Sequence, residues 1–377
     1  MFSTSPLTRI TLFVLFTLGM ILAACAPVAE APVPTVSVSA PEEAPAATEA
    51  PTEAPTEMAQ ASAVELSGKL IIYSGRSEPL IQPVIDAFKA QYPEVEVLLK
   101  SGSSSQMANA LLEEKANPQA DLFITTEIFT IQTLAKEGIL QAYRPAAADQ
   151  LPAEALGDGD LWVGLTRRAR VIMYNTELVS AEEAPQSIFD LSDPKWKGQI
   201  AAAGSTNGSM QAQIAVLEAL IGAEKTEAWL NGLLANEVTF FGGHTDVRKA
   251  VGAGEFKIGL VNHYYYYLQA AEGSPVGIVF PDQGEGYIGL ISNLTSAGII
   301  NGTQNPAAAQ AFIDFLLSAE GQKLFAELNY EYPVLPGVAL HPDVQSLDAY
   351  RLADVNLRDA TLNLDAIFTM IEKVGLP

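Results

Sequence analysis

The sequence is nearly free of the side chains that build disulfides and most metal sites in proteins. Its 377 residues include one cysteine, Cys25, and three histidines, His244, His263 and His341. A single cysteine excludes an internal disulfide and a metal site made from several thiolates. No two histidines form the i, i+4 pair of a helical zinc motif. A metal site dominated by cysteine or histidine is therefore disfavoured.

Basic residues and catalytic motifs are scarce as well. The chain has 21 Lys and Arg against 44 Asp and Glu, which gives a formal net charge of −23 at pH 7. Such a surface repels phosphates, so we expect no binding to nucleic acid. The acidic balance is compatible with a cationic ligand but does not by itself indicate one. The sequence has no G-x-S-x-G motif and no zinc motif, so we expect that the protein is not an enzyme.

The first residues predict export and a lipid anchor. Arg9 precedes the apolar stretch Ile10–Leu22, which is too short for a comfortable membrane span and is typical of a signal peptide. The stretch ends in Leu22-Ala23-Ala24-Cys25, which resembles the lipobox of bacterial lipoproteins. This resemblance implies a lipoprotein signal peptide over 1–24 and lipidation of Cys25. We expect an exported protein, either anchored in the bilayer at the outer face of the cell membrane or periplasmic; the alternative is a short transmembrane anchor.

Residues 25–65 predict a disordered tether. Beyond Cys25 the segment is rich in Ala, Pro, Glu and Thr and has neither aromatic nor basic residues. It cannot bury enough apolar surface to offset the entropy lost on ordering. A flexible chain of this length has a root-mean-square reach of about 35 Å. A lipid anchor with such a tether would hold a folded domain close to a membrane partner.

From Lys69 onward, apolar runs of strand length alternate with helical patterns. Amphipathic segments separate the apolar runs Lys69–Ser74, Val95–Leu99 and Asp121–Thr125. The same alternation continues along the chain as far as Lys257–Val261. This alternation predicts an α/β fold with parallel strands, and the chain length predicts two structural domains. Ligands of such folds bind beyond the carboxyl ends of strands, near helix N-termini. Three segments fit that description and are predicted to converge in one cleft: Ser74–Ser77, Ser205–Ser209 and Asn262–Tyr265.

A series of short motifs, in a fixed order, resembles one family of binding proteins. The series runs YSGRSEP, ADLFITTE, RARVIMYN, DPKWKGQI, NGSMQAQIA, GLVNHYYYY, SAEGQKLFAE and EYPV. In this order the chain resembles the periplasmic ferric-ion-binding proteins of iron ABC importers. The resemblance extends from about Lys69 to about Pro342. It implies the two-lobed periplasmic-binding-protein type II fold, with two mixed sheets flanked by helices and a ligand cleft at a two-strand hinge.

The resemblance also implies domain limits and a function. Lobe 1 would comprise 66–168 plus 294–345, and lobe 2 would comprise 169–293 plus 346–377. The hinge strands would lie near Arg168–Tyr174 and Tyr287–Asn293. The protein would be the monomeric solute-binding component of an ABC importer. It would capture Fe³⁺ as cargo, with carbonate or phosphate as a synergistic anion, and deliver it to a permease in the cytoplasmic membrane.

Tyr264 and Tyr265 are the predicted metal ligands, because the family uses two consecutive tyrosines at this place. The chemistry agrees, since ferric iron is a hard cation that favours anionic oxygen. A bound cation of high charge holds a phenol as phenolate, although a free phenol titrates near 10. Tyr266 and Tyr267 are expected to be packing or rim residues. The alternative is that the whole run is an aromatic edge that packs between the lobes.

Two positions in the first lobe depart from the family pattern. Many relatives have a histidine where this chain has Ser77 and a glutamate where it has Thr126, and neither residue is a good ferric ligand. Glu127 is one place further on, but neighbouring positions on a strand point in different directions. The resemblance therefore leaves the first-lobe ligands open, with small anions or water able to complete the coordination.

The anion segment of the family falls on Asn207, Gly208 and Ser209, with Asn262 in the same shell. Their backbone N–H groups would open a helix, which is a favourable place for an anion; the alternative is a simple cap and turn. His244 occupies a place where relatives often carry asparagine, and a plain loop histidine is the alternative there.

Arg76 and Arg168 are candidates to neutralise a bound anion across the cleft, or else ordinary solvated or structural arginines. The alternative function is the same fold with a small organic anion, such as a phosphonate or a phosphorylated sugar. The adjacent tyrosines distinguish the two, because ferric iron needs phenolates and a phosphate group does not.

Overall fold

A computed structural model describes residues 66–360 and 364–377. The predicted signal peptide (1–24), the tether (25–65) and the lipidation site Cys25 lie outside the described residues. None of the helices in the described part of the chain is long and apolar enough to cross a membrane.

The described chain alternates strands and helices, as the sequence predicts, up to the middle of the molecule. The strands are β1 Gly68–Ser74, β2 Val95–Ser101, β3 Leu122–Thr125, β4 Leu140–Gln141, β5 Val163–Asn175, β6 Ile200–Ala203, β7 Thr239–Phe241, β8 Ile258–Asn262, β9 Val276–Val279, β10 Ser292–Ile300 and β11 Tyr332–Pro333. The helices are α1 Glu78–Gln91, α2 Ser104–Glu113, α3 Ile128–Lys136, α4 Gly208–Ile221, α5 Ala223–Ala235, α6 His244–Gly252, α7 His263–Ala271, α8 Pro306–Leu316, α9 Ala319–Asn329, α10 Leu357–Ala360 and α11 Leu364–Val374. Short 3-10 turns connect several of them.

The strands form a mixed sheet in the order β2-β1-β3-β10-β5-β8-β6-β7, with β4 beside β10 and with β9 and β11 beside β5. β1 pairs in parallel with β2 and β3, and β6 pairs in parallel with β7 and β8. β10 runs antiparallel to β3 and β5, and β5 runs antiparallel to β8 and β9. The expectation of parallel strands is therefore wrong for β5 and β10, which no α-helix directly precedes. β9 follows α7 and runs in the same direction as β8, but both of these strands are antiparallel to β5.

β5 is the strand that joins the two groups of strands. Its first half, from Val163 to Ala169, pairs with β10, and its second half, from Arg170 to Tyr174, pairs with β8. At the change of partner, the Arg170 N–H donates to the carbonyl of Ile291 at 2.9 Å, just before β10 begins. Two extended segments, β5 and the chain around Ile291, therefore cross together between the groups.

The core is divided in the same way. One cluster of buried apolar residues comes from Leu70 to Leu165 and from Leu294 to Val334. A second comes mainly from Ile172 to Ile291 and from α11. A third packs on the β5–β8 side and includes Val344, a residue that the predicted limits assign to lobe 1. The clusters of buried residues therefore follow the two groups of strands. The cleft lies at the boundary between the groups, where β5 and the chain around Ile291 cross and where several strands end.

Helix α1 shows how local sequence directs side chains to the core or to the cleft. Pro79 lies in the first turn, where its missing N–H costs nothing. Ile81, Val84, Ile85 and Phe88 form the buried stripe, at the spacing expected of a helix. Leu80, in the first turn, lies outside this stripe and faces the cleft. The first turn of α1 therefore contributes to the cleft and the later turns contribute to the core.

Candidate functional site

A small cavity of about 60 Å³, here called the front cavity, lies where several strands end and several helices begin. Its lining consists of Gly75, Arg76, Ser77, Leu80, Thr126, Arg168, Asn207, Ser209, His244, Tyr264 and Tyr265. The three segments predicted to converge all contribute to it. The geometry is the usual one for α/β folds, in which ligands bind beyond the carboxyl ends of strands.

Tyr264 and Tyr265 lie in the first turn of α7, directly after β8. The sequence analysis ended the strand at Val261 and did not predict the helix that begins at His263. The two rings lie 4.3 Å apart between centroids, so the two phenol groups lie side by side. Burial, followed by the charge and hydrogen bond of Tyr264, raises the pKa of Tyr265 well above its usual value, and Arg168 and Arg76 act in the opposite direction. The pair therefore offers two phenol oxygens at one point, beside positive charge.

Arg76 lines the front cavity, but its charge is already paired. Its guanidinium contacts Glu331 through two hydrogen bonds, Nη2 to Oε1 at 2.5 Å and Nη1 to Oε2 at 3.1 Å. Both side chains are almost fully buried. Burial alone would raise the pKa of Glu331, but the charge of Arg76 overcomes this effect and lowers it. Arg76 was a candidate to neutralise an anion across the cleft; its charge is instead balanced by Glu331.

Arg168 has no such partner. It is 2% exposed, and its Nε and Nη2 atoms lack a hydrogen-bond partner within the described residues. No carboxylate of the described chain forms an ion pair with it. A buried cation without a partner is costly, so its presence in the wall of a cavity indicates a site for an anion. This location agrees with the sequence prediction for Arg168.

Arg170 is a second buried cation, and the sequence analysis missed it. Its Nε donates to Gln213 Oε1 at 3.0 Å, and its Nη1 lies 3.2 Å from His244 Nε2 and 3.3 Å from Asn262 Oδ1. Burial, together with the charge of Arg168, lowers its pKa to about 9, although Tyr264 and Tyr265 act in the opposite direction. The signal was available, because residues two apart on a strand share a face and Arg168 was already a candidate.

The segment Asn207–Ser209 begins α4, as predicted, but most of its N–H groups are used internally. Asn207 N–H donates to the carbonyl of Gly204 at 3.1 Å, and Ser209 N–H donates to Asn207 Oδ1 at 3.0 Å. The simple cap and turn therefore describes these two groups better than a backbone anion site does. Gly208 has a packing role, since a Cβ there would lie 2.8 Å from Glu127 Cγ.

Asn262 and His244 belong to a polar chain behind the tyrosines. Asn262 Nδ2 donates to Ser209 Oγ at 3.1 Å, while its Oδ1 accepts from Arg170. His244 is buried with its ring 5.2 Å from that of Tyr265, so it is not a plain loop histidine. Burial first, and then the charges of Arg170 and Arg168, lower its pKa well below the usual value. A neutral His244 accepts from Arg170 through Nε2, so its proton is on Nδ1.

The residues of predicted lobe 1 that were considered as metal ligands, Ser77, Thr126 and Glu127, offer the front cavity less than the tyrosines of lobe 2 do. Ser77 and Thr126 line the front cavity, and Thr126 Oγ1 lies 3.1 Å from Ser104 Oγ. Glu127 does not line it. Its carboxylate accepts from Thr130 N–H at 3.0 Å and from the hydroxyl of Thr125 at 2.9 Å, which caps the start of α3. Because its oxygens are committed to this cap, Glu127 is not positioned as a ligand.

The donor set of the front cavity suits a hard cation accompanied by anions. In the described residues, no group of three or more His, Cys, Asp or Glu side chains is placed to hold a metal ion. A metal ion in this cavity would therefore depend on the two phenol oxygens and on ligands that enter with it. The unpaired guanidinium of Arg168 supplies a place for the negative charge of such a ligand.

Comparison with known proteins agrees with the sequence resemblance. The profile of a family described as bacterial extracellular solute-binding protein matches residues 117–351. The chain is 33% identical to iron uptake protein A1 of Synechocystis over 74% of this chain and 79% of the relative.

Solved structures of similar proteins cover the described part of the chain. The structure of iron-bound HitA from Pseudomonas aeruginosa matches with a TM-score of 0.76 and 27% identity, over 81% of this chain and 99% of that one. A Trichodesmium protein (IdiA, FutA) solved with iron and citrate matches with a TM-score of 0.67 and 30% identity, over 82% and 99% of the two chains. These matches confirm the predicted fold.

Proposed function

The chain belongs to the bacterial extracellular solute-binding protein family, and we propose that it captures ferric iron together with a small anion in the front cavity. It then delivers the iron to an ABC permease in the membrane. The observation that carries this proposal is the pair of adjacent phenols, Tyr264 and Tyr265, in the wall of the front cavity beside the guanidinium of Arg168, which forms no ion pair within the described residues. As a solute-binding protein it is expected to hold its cargo without chemical turnover.

The charges around the tyrosines support a ferric ion with an anion. Arg76 and Glu331 cancel each other, which leaves Arg168 and Arg170 as unbalanced positive charges. Two phenolates would offset those two charges, and the three positive charges of the ferric ion would still need anions from outside the protein. Carbonate or phosphate would contact Arg168 and complete the coordination that Ser77 and Thr126 cannot provide. Arg168 thus opposes the burial that raises the pKa of Tyr265, and it also holds the anion.

The size of the front cavity favours an ion with a small anion over the organic-anion alternative. A volume of about 60 Å³ accommodates only a few water-sized groups. A phosphorylated sugar is larger than this, and it has no particular need for two adjacent phenols. The unpaired Arg168 is the observation that keeps an organic anion as the second candidate, and the titration below separates the two.

Release of the cargo requires the cavity to open, and the crossing segments are the place where this can occur. We propose the predicted lobes, 66–168 with 294–345 and 169–293 with 346–377, which move about β5 and the chain near Ile291. The carbonyl of Ile291 accepts from Arg170 N–H, so both segments would bend together. Hinge motion of this kind is typical of periplasmic binding proteins.

For location, we propose export, lipidation of Cys25 and a tether over 25–65 that holds a monomer at the outer face of the membrane. The lipobox resemblance and the composition of residues 26–65 support this proposal. A single acyl-anchored chain on a tether keeps the folded part within reach of a permease in the same membrane.

The proposal is tested by titrating the chelator-stripped protein with ferric citrate in bicarbonate buffer while the visible spectrum is recorded. A ferric phenolate gives a charge-transfer colour, so we expect a band that saturates at one iron per protein. Calorimetric titrations with a phosphorylated sugar and with a phosphonate, without iron, form the second arm. A colourless protein that binds one of these organic anions would replace the ferric proposal with the alternative function.

The role of Arg168 gives a further prediction. Arg168→Met is expected to lower the apparent affinity for iron in bicarbonate by about 10- to 100-fold, because a hydrogen bond to a charged group contributes about 1.5–3 kcal/mol. Competition with a chelator measures this affinity. The visible band should remain, since both phenols are retained.

The matched control for Arg168 is its neighbour on the same strand. Arg167 donates to Glu154 at 2.6 Å and to Ser292 at 2.9 Å, on the other face of β5. Arg167→Met is expected to leave the affinity for iron unchanged within about twofold, as for a surface pair. Equal losses in the two variants would show that the effect comes from the charge of the strand in general and not from an anion held by Arg168.

A further inference from the structure

His263 directly precedes the tyrosine pair, and the proposed capture of iron gives it no role. It is the first residue of α7, and its side chain is fully buried. It does not line the front cavity. A buried polar side chain is costly unless its polar atoms have partners. Both ring nitrogens of His263 have one, and the two partners belong to other elements of the fold.

Both hydrogen bonds of His263 are made to backbone groups. The N–H of Ala169, in β5, donates to Nδ1 at 3.2 Å, and Nε2 lies 2.8 Å from the carbonyl oxygen of Tyr330. A backbone N–H can only donate and a carbonyl oxygen can only accept, so Nδ1 carries no proton and Nε2 carries one. The ring is therefore neutral, and the two contacts fix its tautomer and its orientation.

The ring of His263 lies where the end of β8 meets the beginning of β11. β8 ends at Asn262, which pairs with Arg170 of β5, and β11 pairs with β5 at Arg167. Ala169 lies between these two stretches and belongs to neither pairing, and its N–H bonds to the ring instead. The imidazole thus takes the place of a strand at the point where β5 passes from one group of strands to the other.

The three elements that the ring joins carry the residues of the front cavity. α7 carries the tyrosine pair directly after His263, and β5 carries Arg168 directly before Ala169. Tyr330 directly precedes Glu331, the buried carboxylate of the site. Under the predicted limits, α7 belongs to lobe 2 and Tyr330 to lobe 1. One side chain therefore ties the phenols to the strand of arginines and to the opposite lobe.

Tyr330 is held in an unusual backbone conformation at this contact. Its φ of 57° and ψ of 22° are left-handed, which is unfavourable for a residue with a Cβ. Its ring is stacked on that of Tyr267 at 5.6 Å and lies 4.4 Å from that of His341. The ring of His263 is stacked on Tyr332 at 4.4 Å. Since a strained backbone persists only where its surroundings fix it, the carbonyl of Tyr330 is a rigid anchor.

We propose that His263 is a positioning residue of the iron site, whose ring anchors the first turn of α7 to β5 and to Tyr330. The anchor holds the phenols of Tyr264 and Tyr265 in one geometry relative to the arginines of β5. His263 does not touch the iron and acts through the tyrosines. Ligands that are held in place lose less freedom when the metal binds, which increases the affinity. The proposal rests on the proposed capture of iron in the front cavity.

His263→Leu tests the anchor, because it removes both hydrogen bonds and keeps an apolar side chain in the same space. We expect the affinity for ferric iron to fall by about 10- to 100-fold, as for other groups that orient metal ligands. The charge-transfer band should persist but shift and broaden, because both phenolates remain and are no longer held in one geometry. Chelator competition in bicarbonate buffer and the visible spectrum measure the two effects.

His263→Gln separates the hydrogen bonds from the packing. Its amide offers one acceptor and one donor, as the neutral imidazole does. We expect this variant to bind iron within about fivefold of the parent protein, with a band close to that of the parent. A side chain that only fills space would be replaced by leucine at least as well as by glutamine. Equal affinities and equal spectra of the two variants would therefore overturn the proposal.

His341→Leu is the matched control. The ring of His341 packs against the same Tyr330, and its Nδ1 also accepts a backbone N–H, that of Asp343 at 3.2 Å. This hydrogen bond lies within its own loop and is not made to β5. We expect the affinity to stay within about twofold of the parent protein and the band to stay unchanged. A loss equal to that of His263→Leu would assign the effect to packing around Tyr330.

Titrating the parent protein beside the variants distinguishes the possible failures. A parent that stays colourless overturns the ferric proposal and the positioning role with it. A coloured parent with an unchanged His263→Leu variant overturns the positioning role alone. If His263→Leu does not fold, His263→Asn takes its place, because its shorter side chain reaches only one of the two partners. Its affinity should then lie below that of His263→Gln, and equal affinities would contradict the proposal.

Discussion

Replacing Tyr264 and Tyr265 together with phenylalanine is expected to abolish the visible band and to lower the affinity for ferric iron by at least about 1000-fold. The substitution removes both phenol oxygens and keeps both rings, whose centroids lie 4.3 Å apart. Residues that only support metal ligands already cost about 10- to 100-fold when removed, so the loss of two ligands should cost more. Chelator competition measures the affinity, and the visible spectrum reports the phenolates directly.

The single variants and a neighbouring tyrosine make this prediction specific. Each single substitution should weaken the band and shift it, because one phenolate remains. Tyr266→Phe is the matched control: it makes the same change one residue further along α7, at a ring that packs against Tyr267 outside the front cavity. A double variant that retains a coloured complex of parent strength, or a Tyr266→Phe protein that loses it, would assign the colour to other groups.

The tyrosine pair could be predicted from the sequence because its two members are adjacent and their neighbours carry a family pattern. The order of the motifs likewise predicted the fold, and the alternation of strands and helices predicted the convergence of three segments on one cavity. These features depend on short stretches of sequence whose relative position follows from an α/β arrangement.

The features that could not be predicted depend on contacts between distant parts of the chain. Glu331 neutralises Arg76 across 255 positions of sequence, and no local pattern indicates that pairing. Glu127 and Thr126 are neighbours, yet only Thr126 faces the front cavity, because the backbone turns into α3 between them. The antiparallel direction of β10 also follows from the return of the chain through the hinge, which alternation of strands and helices does not encode.

Of the two places where the sequence analysis expected an anion, the positions of the arginines favour Arg168 over the segment Asn207–Ser209. A helix N-terminus supplies partial charge, and the N–H groups of Asn207 and Ser209 are already bonded within the chain. Arg168 supplies a full charge, and although it acts on Glu331 from a distance it forms no ion pair with a carboxylate of the described chain. A full unpaired charge in a buried wall attracts an anion more strongly than a half-charge on a helix whose first groups are bonded. We therefore expect the anion specificity of the proposed site to depend on β5 more than on the loop before α4.

The largest expected effect on stability concerns Glu331, which holds the charge of Arg76 beneath the front cavity. Glu331→Gln keeps the size of the side chain and removes its charge, so Arg76 becomes a third unbalanced buried cation. Removing one partner of a buried ion pair typically destabilises a protein by about 3–5 kcal/mol. We expect the free energy of unfolding of the iron-free protein to fall by about 3 kcal/mol, read from the urea midpoint at an unchanged m value.

The control is a surface ion pair on α9, the helix that precedes Glu331, in which another glutamate is paired with a lysine. Lys323 and Glu327 lie 3.6 Å apart on α9, and both are exposed. Glu327→Gln should change the free energy of unfolding by no more than about 0.5 kcal/mol, because solvent screens such pairs. The double variant Arg76→Met, Glu331→Met should lose less stability than Glu331→Gln alone, since an apolar pair leaves no charge buried. If Glu331→Gln were as mild as Glu327→Gln, Arg76 would be neutralised by another group, and its charge would again be available to an anion in the front cavity.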